Sequence, residues 1–151
     1  MTDPEYMARL LIRPFAEPDA DAVVALWEQC GLLRPWNDPY KDIARKLMVQ
    51  RELFLVGTLE GRVVAAVMAG YEGHRGWVNY LAVEPELRRH GLGRAMMEEA
   101  ECRLRALGCP KAALQIRRDN LEVAEYYRGL GYTEDDVISM GKRFEFDDNP
   151  G

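Results

Sequence analysis

The sequence predicts an α/β (α+β) domain, a mixed and mostly antiparallel sheet flanked by about four helices. Three observations lead there. Apolar residues recur at period two in several short runs, at helical spacing in others, and each run is bounded by a glycine, a proline or a capping residue. A chain of 151 residues suits one domain spanning 1–151. Its 48% apolar and 30% charged residues have the balance of a folded globular protein.

The elements follow in order. From Ala8 to Pro14, Leu10 and Ile12 alternate with Arg9, Leu11 and Arg13, a strand ended by the proline. Asp19 is placed to cap a helix carrying Val23, Leu26, Trp27 and Cys30 on one face, with Gly31 as its stop. Asp38-Pro39, an N-cap followed by proline at the first helical position, opens a second helix through Ile43, Leu47 and Met48. The runs Leu53–Leu59 and Arg62–Tyr71 flank Glu60-Gly61 and read as a hairpin, and Trp77–Val83 is a further strand that Pro85 ends. After Gly93, the residues Met96, Met97, Ala100, Leu104 and Leu107 mark a helix of about four turns that Gly108 stops. Ala112–Ile116 predicts a short strand, Asn120 caps a helix reaching Leu130 and ended by Gly131, and Val137–Phe144 predicts a last strand. The acidic residues at 144–151 read as a frayed tail.

Charge and cysteines exclude several classes of function. With 25 acidic and 20 basic residues the net charge is −5, so no excess of positive charge is available for a nucleic-acid backbone. Asp3, Glu5, Glu17, Asp19 and Asp21 interrupt the early apolar runs, which argues against a signal peptide or a membrane span and for the cytoplasm. Cys30, Cys102 and Cys109 are odd in number and lack metal or redox spacing, so they read as reduced packing residues, and no metal site is expected.

The segment from Val83 to Arg94 carries the chemistry. It joins a predicted strand to a predicted helix, and glycines just before a helix N-terminus let a phosphate approach unpaired amides. It lacks the third glycine of the dinucleotide fingerprint and the lysine of the Walker loop. Arg88-Arg89-His90-Gly91-Leu92-Gly93 closely resembles the R/Q-x-x-G-x-G/A signature of the GNAT superfamily of N-acetyltransferases. Some thirty residues on, Asn120 to Tyr132 resembles that family's N-x-x-A-x-x-x-Y-x-x-x-G-F stretch, with Val123 for alanine and Tyr132 for phenylalanine. The stretches Leu32–Pro39 and Gly70–Gly76 are similar to those of its YpeA-like bacterial branch, so that the likeness runs from Ile12 to Phe144.

The resemblance implies a sheet whose two central strands splay into a V that admits acetyl-CoA. It implies that the backbone of Leu81 and Val83 pairs with the pantetheine arm. The amides of Arg89, Gly91, Leu92, Gly93 and Arg94, with the side chain of Arg88, would hold the pyrophosphate, and Asn120 and Tyr127 would complete the cofactor site. Tyr127 stands where the family commonly has the general acid for the departing thiolate, with Tyr126 the weaker candidate. For the oxyanion we take the amide of Val83.

The acceptor amine must lose a proton: with a lysine-like pKa near 10.4, about one molecule in 10³ is neutral at pH 7. The glutamate that serves the histone-modifying branch aligns with Trp77, which leaves Glu72 or His74, in the turn before that strand, or Glu84, at its far end, as candidate bases. Trp36, Asn37 and Asp38, with Glu72, would border the acceptor, a small-molecule or peptide amine. Two functions follow: direct acetyl transfer within a ternary complex, or a coenzyme A-binding sensor or scaffold without transfer. Exposed strand edges allow a homodimer.

Overall fold

The computed structural model describes residues 3–147. Five strands, β1 (Leu11–Pro14), β2 (Phe54–Leu59), β3 (Arg62–Tyr71), β4 (Gly76–Val83) and β5 (Ala112–Ala113), form one sheet in that order. Neighbours are antiparallel except β4 and β5, which run parallel. Glu60 and Gly61 join β2 to β3 with φ of 52° and 79°, two left-handed residues whose twist matches a tight hairpin.

Helices cover both faces. On one side α2 (Ala20–Gln29) and α3 (Pro39–Leu47) pack Val23, Leu26, Trp27 and Ile43 against Phe54, Val56, Ala66 and Met68. On the other, α4 (Leu92–Ala106) packs Met96, Met97, Ala100 and Leu104 against Leu55, Ala65, Val67 and Val78. The alternation of Phe54, Leu55 and Val56 between the two cores is the period-two pattern of a strand buried on both sides. A last helix, α5 (Leu121–Gly129), follows β5.

Asp38 caps α3 as predicted, accepting from the amides of Tyr40 and Lys41 at 2.9 and 3.3 Å, and Asn120 caps α5 by accepting from Val123 at 3.2 Å. Several expectations need correction. Ala8 and Arg9 belong to a short helix, α1 (Pro4–Arg9), because Asp3 caps it and Pro4 stands at its first position. Asp19 gives α2 no side-chain cap; its carboxylate turns back to the amide of Ala16 and to Arg13. Of Ala112–Ile116 only the first two residues pair as strand.

Val137–Phe144 forms no strand, because β5 ends before it has a backbone to offer. Lys111 reaches Asp135 at 2.8 Å, and Gln115 reaches Ser139, but these are side-chain contacts, and Ile138, Met140 and Phe144 stay exposed. Cys102 is exposed and packs nothing, whereas Cys30 and Cys109 are half-buried. Among the described residues no helix is long and apolar enough to cross a membrane, and no cluster of histidine, cysteine and carboxylate residues is suited to a metal.

The tail is not frayed throughout. Residues 148–151 lie outside the described residues, but Asp147 is buried and accepts two hydrogen bonds from Arg45 and one, at 3.1 Å, from the amide of Asp38. The Arg45 guanidinium and that amide hold its carboxyl far below the usual carboxylate range. The folded chain therefore binds fewer protons here than the unfolded one, so the stabilisation is complete above the ordinary carboxylate value, about 3.9, and fades as pH falls below it. Thermal unfolding followed from pH 7 to pH 2 is expected to show Asp147→Asn less stable than the parent at pH 7, with the difference shrinking below pH 4.

Candidate active site

The site begins with one extra residue in β4. Ala66 pairs with Ala82 but Met68 with Asn79, so three steps of β4 face two of β3, the signature of a β-bulge. Tyr80 takes up the excess at φ 55°, an uncommon conformation for an aromatic residue. Its ring stacks on Trp27 at 4.1 Å and its hydroxyl donates to Asp42 at 2.7 Å. Burial and that carboxylate keep the phenol protonated, well above its ordinary value.

Beyond the bulge the sheet divides. β5 pairs with β4 only at Gly76 and Trp77. The amide of Glu84 donates to Val64 at 2.8 Å, so the alternation of an antiparallel ladder directs Ala82 at β3 and turns the peptide groups of Leu81 and Val83 away from it. The Val83 carbonyl meets the Cys30 thiol at 3.3 Å. Between β4 and the segment after β5 lies an opening of about 1410 Å³, bordered by Trp36, Asn37, Trp77, Asn79, Arg117 and Tyr127.

Past Val83 the chain makes the glycine turn. Arg89 and Gly91 are both left-handed, at φ 71° and 88°, and α4 starts at Leu92 with no side chain capping its first amides. Alternating backbone of this kind turns successive N–H groups toward one concavity, at the positive end of the helix. Leu92 and Gly93 are buried, while Arg88, Arg89 and Arg94 are exposed. The N-terminal helix braces the turn: Asp3 donates its amide to His90 at 2.9 Å and the Tyr6 ring lies 4.8 Å from the imidazole.

Two neighbouring tyrosines on α5 face different surroundings. A methyl group added at Gly93 would overlap the Tyr126 hydroxyl, which places that oxygen over the start of α4. Tyr127 lies between Tyr126 and Tyr132, with ring centroids at 5.3 and 5.8 Å, and borders the opening. Burial pushes its hydroxyl up to about 12. Asn120, which the resemblance gives to the cofactor, has its side chain in the helix cap.

The candidate bases fare differently. Glu72 accepts from the amides of His74 and Arg75, and these hold its carboxyl below the ordinary value, the reverse of what a base near neutrality needs. His74 is exposed in the same turn, and Glu84 pairs with Arg62 at 2.5 Å. At about 3.3 Å per residue, β4 separates that turn from Val83 by roughly 20–25 Å. Glu72 or His74 therefore cannot serve the same atom as the Val83 amide. Glu72 borders instead a smaller opening of about 240 Å³ with Lys46, Trp77 and Asn79.

Of the acceptor residues, Trp36 is 44% exposed, Asn37 borders the main opening, and Asp38 is the α3 cap. Three features escaped the sequence: the Tyr80–Asp42 pair, the Tyr126 hydroxyl over Gly93, and the thiol of Cys30 on Val83. Each joins residues more than thirty positions apart, and no local pattern announces it.

Comparison with known proteins agrees with this geometry. The sequence profile of the Acetyltransferase (GNAT) family matches residues 7–132. An acetyltransferase of Pectobacterium atrosepticum is 48% identical over 132 residues, which span 87% of this chain and 94% of that protein. Among solved structures, Ard1 from Thermoplasma volcanium superposes with a TM-score of 0.72 at 24% identity, over 83% of each chain. AAC(6')-Iy, solved in complex with the bisubstrate analogue CoA-S-monomethyl-acetylneamine, superposes with a TM-score of 0.71 at 17% identity, over 89% of this chain and 98% of its own. The profile match over most of the sequence and the close relative agree with a sheet that divides beside a glycine turn, and the chain belongs to the GNAT acetyltransferase family.

Proposed function

We propose that the protein is an N-acetyltransferase that passes the acetyl group of acetyl-CoA directly to an amine held in the same opening, acting as one domain. The observation that carries this reading is the divided sheet. The peptide groups of Leu81 and Val83 are turned out in the part of β4 beyond its pairing with β5, directly before a glycine turn with uncapped amides. An extended arm ending in phosphates fits such a pairing edge and concavity. The bisubstrate ligand of AAC(6')-Iy, which joins CoA to an acetylated amine, supports one site for both reactants.

In this reading the amides of Arg89, Gly91, Leu92, Gly93 and Arg94, assisted by the exposed Arg88, hold the diphosphate, and Leu81 and Val83 hold the arm. Acetyl-CoA, when bound, supplies an acyl carbon activated as a thioester. The Val83 N–H donates to oxygen as negative charge develops there. Tyr127, kept neutral by burial, gives its proton to the departing sulfur. A protein that only sensed coenzyme A would need no protonated hydroxyl at that place, and the transfer reading is the better supported. With the Glu72 carboxyl held below its ordinary value and its turn at the far end of β4 from Val83, the amine loses its proton to water.

Three outcomes follow from this arrangement. Calorimetry is expected to show acetyl-CoA binding by the parent and none by Gly91→Asp, which adds a carboxylate at a left-handed position of the phosphate turn; binding that survives the change would overturn the cradle.

Gly93→Ala is expected to weaken cofactor binding and to lower stability by about 1–3 kcal/mol through the overlap with Tyr126, and Tyr126→Phe in the same chain to restore part of both.

Tyr127→Phe is expected to lower kcat about 10²-fold with the acetyl-CoA Kd unchanged. In the parent, log kcat/KM should rise with unit slope from pH 7 toward the pKa of the acceptor. Because Tyr127 loses its proton only near 12, no descending limb should appear below about pH 10. His74→Gln should leave this profile in place; a profile that the change alters would instead make His74 the base.

A further inference from the structure

Arginines surround Trp36, in the loop before α3. The Arg117 guanidinium lies over the indole, 5.3 Å from its centroid. Arg143 donates to the Trp36 carbonyl at 3.4 Å, and Arg34, two residues earlier, donates to the carbonyls of Gly31 and Leu33 at 2.8 and 3.1 Å. All three positions are thus fixed by neutral partners. None of the three pairs with a carboxylate among the described residues.

The nearby carboxylates are engaged within the fold. Asp38 caps α3, Asp42 takes the Tyr80 hydroxyl and Arg45, and Asp147 takes Arg45 and the Asp38 amide. In a chain of net charge −5, three guanidinium groups without a carboxylate partner among the described residues gather around one tryptophan. Arg34, Trp36 and Arg117 border the same opening as Asn37, Trp77 and Asn79. A guanidinium presents paired N–H groups that match a carboxylate and repel an ammonium.

We propose that the acceptor amine carries a carboxylate, bound by Arg34, Arg117 and Arg143 around Trp36, so that the substrate class is an amino acid or an acidic peptide and not a polycation. This rests on the acetyltransferase reading above, and it assigns to that site the chemistry of its second substrate.

Thiol release from acetyl-CoA tests it with acceptors in matched pairs. One arm compares free L-amino acids with their α-amides, and the other compares short peptides bearing Asp or Glu beside a free amine with their Asn or Gln counterparts. The carboxylate member of at least one arm is expected to give a kcat/KM at least about tenfold higher, equivalent to about 1.4 kcal/mol. Which arm shows the difference identifies the source of the carboxylate. Arg34→Gln combined with Arg117→Gln is expected to reduce it to the level of the amide, with the thermal midpoint and the acetyl-CoA Kd unchanged by calorimetry.

Equal or better use of amides or of polyamines would overturn the proposal and leave the acetyltransferase reading standing. So would loss of acetyl-CoA binding in the double variant, which would give these arginines to the cofactor. If no carboxylate-bearing amine of either arm is acetylated or binds the coenzyme A-loaded protein, the proposal fails as well. Failure of the parent to bind acetyl-CoA would remove the underlying reading and this one with it.

Discussion

The architecture of the candidate site depends on the bulge at Tyr80. A sheet whose strands pair along their whole length has no edge to offer inside the molecule, and β4 has one because its pairing with the two-residue β5 stops at Trp77, ahead of the extra residue at Tyr80. Holding an aromatic residue at φ 55° costs about 1–3 kcal/mol, and the surroundings must offset it. They do so with a column of rings: Phe15 stacks on Phe54 at 4.4 Å, Phe54 on Trp27 at 6.4 Å, and Trp27 on Tyr80 at 4.1 Å. Among the described residues the buried indole N–H of Trp27 has no hydrogen-bond partner.

How much of this the sequence disclosed depends on the range of the forces involved. Caps, the glycine turn and the hairpin are local, and Asp38-Pro39, Glu60-Gly61 and Gly91-Leu92-Gly93 stand in the structure as they read in the chain. The first strand is shorter than its alternation suggests, because the pattern at Leu10 and Ile12 runs back into a helix that Asp3 and Pro4 start. Val137–Phe144 has the period of a strand but no neighbour, and strand formation, unlike helix formation, requires a partner backbone. The same limit hid the site's long-range features: nothing in Asp42 or Asp147 by itself indicates Tyr80 or Arg45.

The glycine turn stands where the motif puts it, whereas Glu72 lies at the far end of β4 from Val83, for a related reason. A phosphate turn is built from consecutive backbone atoms, so its order in sequence is its order in space. A general base needs only to reach one atom, and a residue four or five positions before a strand can lie at its wrong end. Glu72 shows this, since the hydrogen bonds that close its turn also keep its carboxylate charged and remote.

The distribution of charge around the α2–α3 loop completes the picture. Carboxylates and cations are both present, but the carboxylates are turned inward, where Asp42 and Asp147 share Arg45 and tie α3 to β4 and to the tail. Arg34 and Arg117 border the opening, and they and Arg143 have only carbonyls and an aromatic ring as partners. The bulge before the turned-out edge of β4 thus also positions, through Tyr80 and Asp42, the helix whose N-terminal loop carries Trp36, so a single irregularity in β4 bears on both that edge and the loop.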